Sequence, residues 1–267
     1  MQKAAAALAW FTLGVLAISG AAGAGFDSAP SLTLAAAATS AALMAWAFAG
    51  ASLASEPYPT RLGWVPSHLS PAILLGLVFG MLTLSQLAEW VISLAGYQEV
   101  GNLPQFRHAL RGATGAELAM AVVGIGFLPG FTEEIALRGF VQRGLQPRVG
   151  AVAAVGITSL LFGALHGEPV HAAGALALGL YLGTIVALCG SIRPAVLCHV
   201  VNNVVATLGA ALPIAPLALA AAALGAVLGP WALWRMALQA RAAHPPLGGS
   251  PEPDAPPSPL EAPLDPP

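Results

Sequence analysis

The chain has 267 residues, a formal net charge of −2 and only 8% Asp, Glu, Lys and Arg, while 57% of its residues are hydrophobic. A mean hydropathy of +0.77 lies far above that of a soluble domain, and a bilayer core of about 30 Å asks for about 20 apolar residues per crossing helix. No basic patch exists to bind nucleic acid, and two cysteines, Cys189 and Cys198, do not make a disulfide framework.

Apolar runs follow one another along the chain. The first, residues 4–20, stands behind Lys3; Ala21-Ala22-Gly23-Ala24 after it resembles a signal-peptide cleavage site, but we read the run as a retained span. The second covers about 32–55 and the third about 71–95, where Glu89 beside Trp90 reads as an interfacial belt. Residues 100–113 place Leu103, Phe106 and Leu110 on one helical face among Asn102, Gln105, Arg107, His108 and Arg111, which predicts a short interfacial helix. The fourth run, about 116–145, ends at a turn over Pro147-Arg148-Val149-Gly150. The fifth (about 151–166), sixth (about 172–190), seventh (about 194–212) and eighth (about 213–236) complete the set, with His171 in the loop before the sixth. From about 242 onward the chain holds ten prolines and four acids, which predicts a disordered tail. The expected fold is all-α, a polytopic membrane protein of about eight spans. We divide it into residues 1–115, a core at 116–212, a last span at 213–241 and the tail at 242–267.

Basic residues set the expected orientation. With the N-terminus inside, the inner side receives Lys3, Arg61, Arg138, Arg143, Arg148, Arg193, Arg235 and Arg241, and the outer side Arg107 and Arg111. Both termini are therefore expected in the cytoplasm, with the protein in the cell membrane.

The fourth run carries the main anomaly. Glu133, Glu134 and Arg138 fall within six positions of a membrane-grade segment, where each charge costs roughly 2.5–3.5 kcal/mol on insertion scales. Glu134 and Arg138 are spaced i, i+4 with the acid first, the favourable order for pairing. Glu133 lies about 100° round the helix and is left for chemistry. Pro129, four residues earlier, should kink the segment. Two later runs add polar groups: His166, four residues after Phe162, ends the fifth, and His199 and Asn203 share a face of the seventh, while Asn202 points elsewhere. A hairpin pivot near 149–150 sets Glu133 and His166 at one depth. The same arithmetic leaves His199 too near the inner surface; a kink at Pro129, a tilted fifth run or a re-entrant sixth would be needed to gather the set.

Glu133-Glu134-x-x-x-Arg138, Phe162-x-x-x-His166 and His199-x-x-x-Asn203, in this order on successive runs, resemble the three motifs of the CPBP family, which holds the type II CAAX prenyl endopeptidases and bacteriocin-processing and immunity proteins. The resemblance covers about 116–212. It implies an all-α intramembrane endopeptidase in which Glu133 activates a water, helped by His166, and His199 with Asn203 hold the oxyanion, with Glu134, Arg138 and Phe162 in support. The chemistry of the residue types agrees, since a carboxylate can act as general base and an imidazole and an amide on one face can donate to a developing negative oxygen. The implied partners are membrane lipid and a membrane-protein or lipidated-peptide substrate, with no cofactor. Two alternatives stay open. One is a zinc-dependent protease with Glu133, His166 and His199 as ligands. The other is a non-catalytic membrane scaffold or immunity protein that keeps the polar cluster for packing.

Overall fold

A computed structural model describes residues 28–52 and 55–243. The first apolar run and the proline-rich tail lie outside the described residues. The rest is helical, with no strand among the described residues: α1 (Ala29–Ala51), α2 (Tyr58–Arg61), α3 (Pro71–Leu94), α4 (Leu103–Leu110), α5 (Gly115–Val149), α6 (Ala151–Leu165), α7 (Pro169–Cys189), α8 (Arg193–Ala211) and α9 (Ala215–Ala243). Six of these, α1, α3, α5, α7, α8 and α9, are long and apolar enough to cross a membrane, and α6 falls short at 15 residues. Every run expected from the second to the eighth is thus a helix, and six of the eight expected spans have a helix of crossing length among the described residues.

Local sequence explains the helix starts. Ser70 accepts a hydrogen bond from Ile73 N (3.4 Å) with Pro71 in the first turn of α3, the pairing of polar cap and early proline that satisfies and pre-shapes a helix N-terminus. Glu168 caps α7 in the same way, accepting from Val170 N (2.7 Å) and His171 N (2.9 Å) ahead of Pro169. That cap starts α7 at residue 169 rather than 172, so His171 lies in its first turn and not in a loop. The helix α5 runs through Pro147 to Val149, and the turn is confined to Gly150.

Helix packing follows the small residues. In a bilayer, helices gain from close contact rather than from leaving water. Gly80 of α3 meets Gly229 of α9, Gly76 meets Leu228 and Ala232, and Gly225 rests against Phe79; a Cβ on Gly80 would stand 2.8 Å from the Gly229 Cα. Thr83 Oγ1 crosses the same seam to Ala222 O (2.6 Å). Large apolar side chains such as Leu34, Leu94, Val152 and Val227 face outward, as a lipid-facing surface requires. The interfacial helix α4 forms as predicted: Leu110 is fully buried and Phe106 packs beside it.

The helix directions fix two ends of the bundle. At one end Ile192 N donates to Gly63 O (3.0 Å), Ser191 Oγ to Val65 O (2.6 Å) and Arg143 Nη1 to Gly190 O (2.7 Å). That end carries Arg61, Arg143, Arg148, Arg193, Arg235 and Arg241, and the opposite end carries Arg107 and Arg111.

Candidate active site

The central feature is α5. Its backbone is π-helical over Val122–Phe127, α-helical over Leu128–Glu133 and π-helical again over Glu134–Gln142. The first widened stretch ends just before Pro129. A proline lacks the N–H and crowds the preceding turn, and a local i→i+5 register accommodates it. The second stretch begins on Glu134, and all nine of its residues are buried.

Inside that stretch the expected ion pair is present. Arg138 Nη1 donates to Glu134 Oε1 at 2.7 Å, and both side chains are fully buried. Arg138 Nη2 donates to Gly179 O of α7 at 3.0 Å, and its guanidinium lies 4.7 Å over the Phe162 ring. One turn on, Gln142 Nε2 donates to Gly183 O at 2.9 Å, and Thr158 Oγ1 of α6 donates to Gln142 Oε1 at 3.3 Å. Two polar side chains spaced i, i+4 thus dock on two carbonyls spaced i, i+4. Gln142, Gly179 and Gly183 escaped the sequence reading, although Gln142 continues the Glu134–Arg138 stripe and Gly179-x-x-x-Gly183 is a small-residue spacing.

His199 joins the pair. Its Nδ1–H donates to Glu134 Oε1 at 2.9 Å, and its Nε2 stands 3.7 Å from Glu133 Oε2. Close approach of α8 makes this possible. A Cβ on Gly130 would lie 2.9 Å from the Val200 Cα, and Gly126 meets Val204 one turn earlier, so the α8 backbone rests directly on α5. Glu133 and Glu134 differ sharply. Glu134 is fully buried between Arg138 and His199, whereas the Glu133 side chain is 15% exposed and makes no hydrogen bond to the described residues.

The depth problem posed by His199 has a plain resolution. Arg143, not Gly150, is level with the start of α8, because Arg143 Nη1 bonds Gly190 O. Glu134 lies nine residues before Arg143 and His199 nine after Gly190, so both reach the same depth. Residues 143–149 project beyond that level. No re-entrant helix is involved, since α7 runs unbroken over 21 residues. The expected hairpin pivot also holds, for Arg138 meets Phe162 and Gln142 meets Thr158, which sets α6 against α5 about residue 150.

His166 and Asn203 are placed less directly. His166 Nδ1–H donates to Phe162 O at 2.8 Å, which leaves its Nε2 as the free ring nitrogen. The Phe162 ring stands between the two histidines, edge-on to His166 (5.0 Å between centroids) and to His199 (5.4 Å). On its other side His166 meets His171 at 4.3 Å, and His171 Nδ1–H donates to Asn102 Oδ1 at 3.1 Å. Asn203, partly exposed one turn after His199, accepts from Asn202 Nδ2 through its Oδ1 at 3.3 Å. Asn202 is buried and bears directly on Asn203 instead of pointing elsewhere. Among the described residues no group of three His, Cys, Asp or Glu side chains is arranged to hold a metal ion. Glu133 and His199 do approach each other, but Phe162 separates His166 from His199.

Residues 115–205, roughly a third of the chain, match the family model described as type II CAAX prenyl endopeptidase Rce1-like. No curated protein and no solved structure matches the chain. The matched segment contains all three motifs, α5 and α6 entire and the part of α8 that carries His199 and Asn203. The motifs and the family match agree: over residues 115–205 this multi-pass membrane protein is similar to the type II CAAX prenyl endopeptidases, which supports its assignment to the CPBP family.

Proposed function

We propose that the protein hydrolyses a peptide bond within the membrane with Glu133 as general base. The observation that carries this reading is the contrast between the adjacent carboxylates. Glu134 is consumed by Arg138 and His199, while Glu133, partly exposed and without a hydrogen bond, faces His199 Nε2 at 3.7 Å. Glu133 takes a proton from water as the water oxygen attacks the scissile carbonyl carbon, then returns it to the leaving nitrogen. His166 assists through its free Nε2. His199, anchored on Glu134 through Nδ1–H, presents Nε2 to the developing oxyanion and is a donor to it in its imidazolium form. Asn203 Nδ2 is the second donor, with its carbonyl end steadied by Asn202. This anchored-imidazole arrangement follows the logic by which a buried carboxylate fixes a catalytic histidine's orientation.

The substrate is a membrane-protein or lipidated peptide that reaches the site from the bilayer. The arginine-bearing end faces the cytoplasm on the positive-inside rule. Comparative membrane proteomics of cells carrying the wild type or Glu133→Gln tests the proposal. A peptide terminus lost only in the variant identifies the substrate, and identical sets of termini count against hydrolysis.

The same geometry makes two further expectations specific. Asn203→Ala is expected to lower kcat by about 10²–10³, the usual loss for one oxyanion donor, with KM little changed. Asn202→Ala should fall between that variant and the wild type, because it loosens Asn203 without removing it. Steady-state kinetics on both separates the roles, and a rise in KM alone for Asn203→Ala moves that residue to substrate binding. Turnover should also survive exhaustive treatment with a strong chelator, since none of these steps asks for Zn²⁺. Loss of turnover with recovery on adding stoichiometric zinc would instead make Glu133 and His199 ligands.

A further inference from the structure

A second polar site lies at the arginine-bearing end, outside the three motifs. There a cleft of about 600 Å³ opens between α2, the last turn of α5 and the junction of α7 with α8, lined by Glu56, Thr60, Arg61, Arg143, Gln146 and Gly190. This volume is within the range of small-ligand sites, about 300–1,000 Å³. The two arginines are in different states. Arg143 is a fixed wall, with Nη1 on Gly190 O (2.7 Å) and Nη2 on Thr60 O (3.3 Å). Arg61 is held over the Phe140 ring, 5.7 Å from its centroid, and its buried Nε has no hydrogen-bond partner among the described residues. Nor is Arg61 neutralised by Glu56, for the ion pairs among the described residues are confined to Glu133, Glu134, Arg138 and His199.

A guanidinium with a buried donor left unpaired carries a desolvation cost that an acceptor removes. Planar donors of this kind match phosphate oxygens, and basic pockets at the ends of membrane helices suit lipid head groups. Val186 and Ala151 add apolar wall beside the polar groups, as a head group with its glycerol stem requires. We propose that this cleft binds a phosphate-bearing anion, with Arg61 as its principal donor and Arg143 and Gln146 as its wall. The phosphate belongs to a phospholipid head group or to free phosphate, and the site is independent of the peptidase reading.

Calorimetric titration of the full-length chain in neutral detergent, with short-chain phosphatidylglycerol and with inorganic phosphate as separate probes, tests the assignment. Saturable binding of either probe is expected; binding of the lipid but not of phosphate names the head group, and the reverse names the free ion. Arg61→Gln should weaken that binding at least about tenfold, the loss of one charge-assisted hydrogen bond. Glu56→Gln should tighten it, because it removes a like charge from the wall while leaving every hydrogen bond in the structure intact. Binding of neither probe to the wild type overturns the proposal. Equal affinities in the wild type, Arg61→Gln and Glu56→Gln overturn it equally.

Discussion

Glu133→Gln is expected to yield a folded protein whose turnover falls by about 10²–10⁴, the range for removing a positioned general base. The fold should survive because Glu133 makes no hydrogen bond to the described residues, and its nearest charged partner, His199 Nε2, is 3.7 Å away. The glutamine keeps the shape of the side chain, while the Glu134–Arg138–Gly179 chain that locks α5 to α7 is untouched. Thermal unfolding in detergent, read beside peptide cleavage, separates loss of chemistry from loss of structure. A Glu133→Gln protein that cleaves at the wild-type rate removes Glu133 from the mechanism.

Glu134→Gln should behave in the opposite order, with instability first. Arg138 is fully buried, and removing its counter-charge leaves a cation with only a carbonyl and an aromatic face for company. Breaking one side of such a pair costs roughly 3–5 kcal/mol. Activity falls too, because the anchor of His199 Nδ1 is weakened. The double variant Glu134→Gln/Arg138→Met distinguishes the two effects. Taking away the stranded cation should restore much of the stability, since a buried pair can often be exchanged for apolar side chains, yet cleavage should stay low while His199 lacks its carboxylate. Equal stability of Glu133→Gln and Glu134→Gln, with activity lost only in the latter, would exchange the roles of base and partner.

Much of this site was legible from spacing. An acid and a base four residues apart in a run that tolerates no stray charge have one economical arrangement, and Glu134 and Arg138 adopt it. Pro129 announced a distortion of α5 but not its form, and nothing in the residue types of Glu134–Gln142 marks the second widened stretch. Nor could the sequence carry the level at which α5 meets α8. That level is set by one side chain, Arg143 reaching Gly190 O, and arithmetic on ideal helices misses it. The separation of Asn202 from Asn203 on a helical wheel concerns directions at Cβ. An amide is long enough to cross that angle, and Asn202 does so. Gln142 was readable in principle, as a polar residue repeating the stripe of Arg138. Without its partner carbonyl at Gly183 it reads only as one more uncharged side chain.

The shortness of α6 bears on the lipid around the protein. Fifteen residues rise about 22 Å against a hydrocarbon core of about 30 Å, a mismatch of roughly 8 Å. The helix faces outward through Val152 and Leu160, which are 89% and 62% exposed, an apolar surface suited to acyl chains. An apolar helix shorter than the hydrocarbon core is accommodated by a thinner bilayer beside it. His166 caps the end of α6, and that thinning brings head groups and their hydration towards the depth of the candidate site. On the proposed peptidase reading, membrane thickness beside α6 becomes a variable of turnover, to be read by comparing cleavage in bilayers of different acyl-chain length.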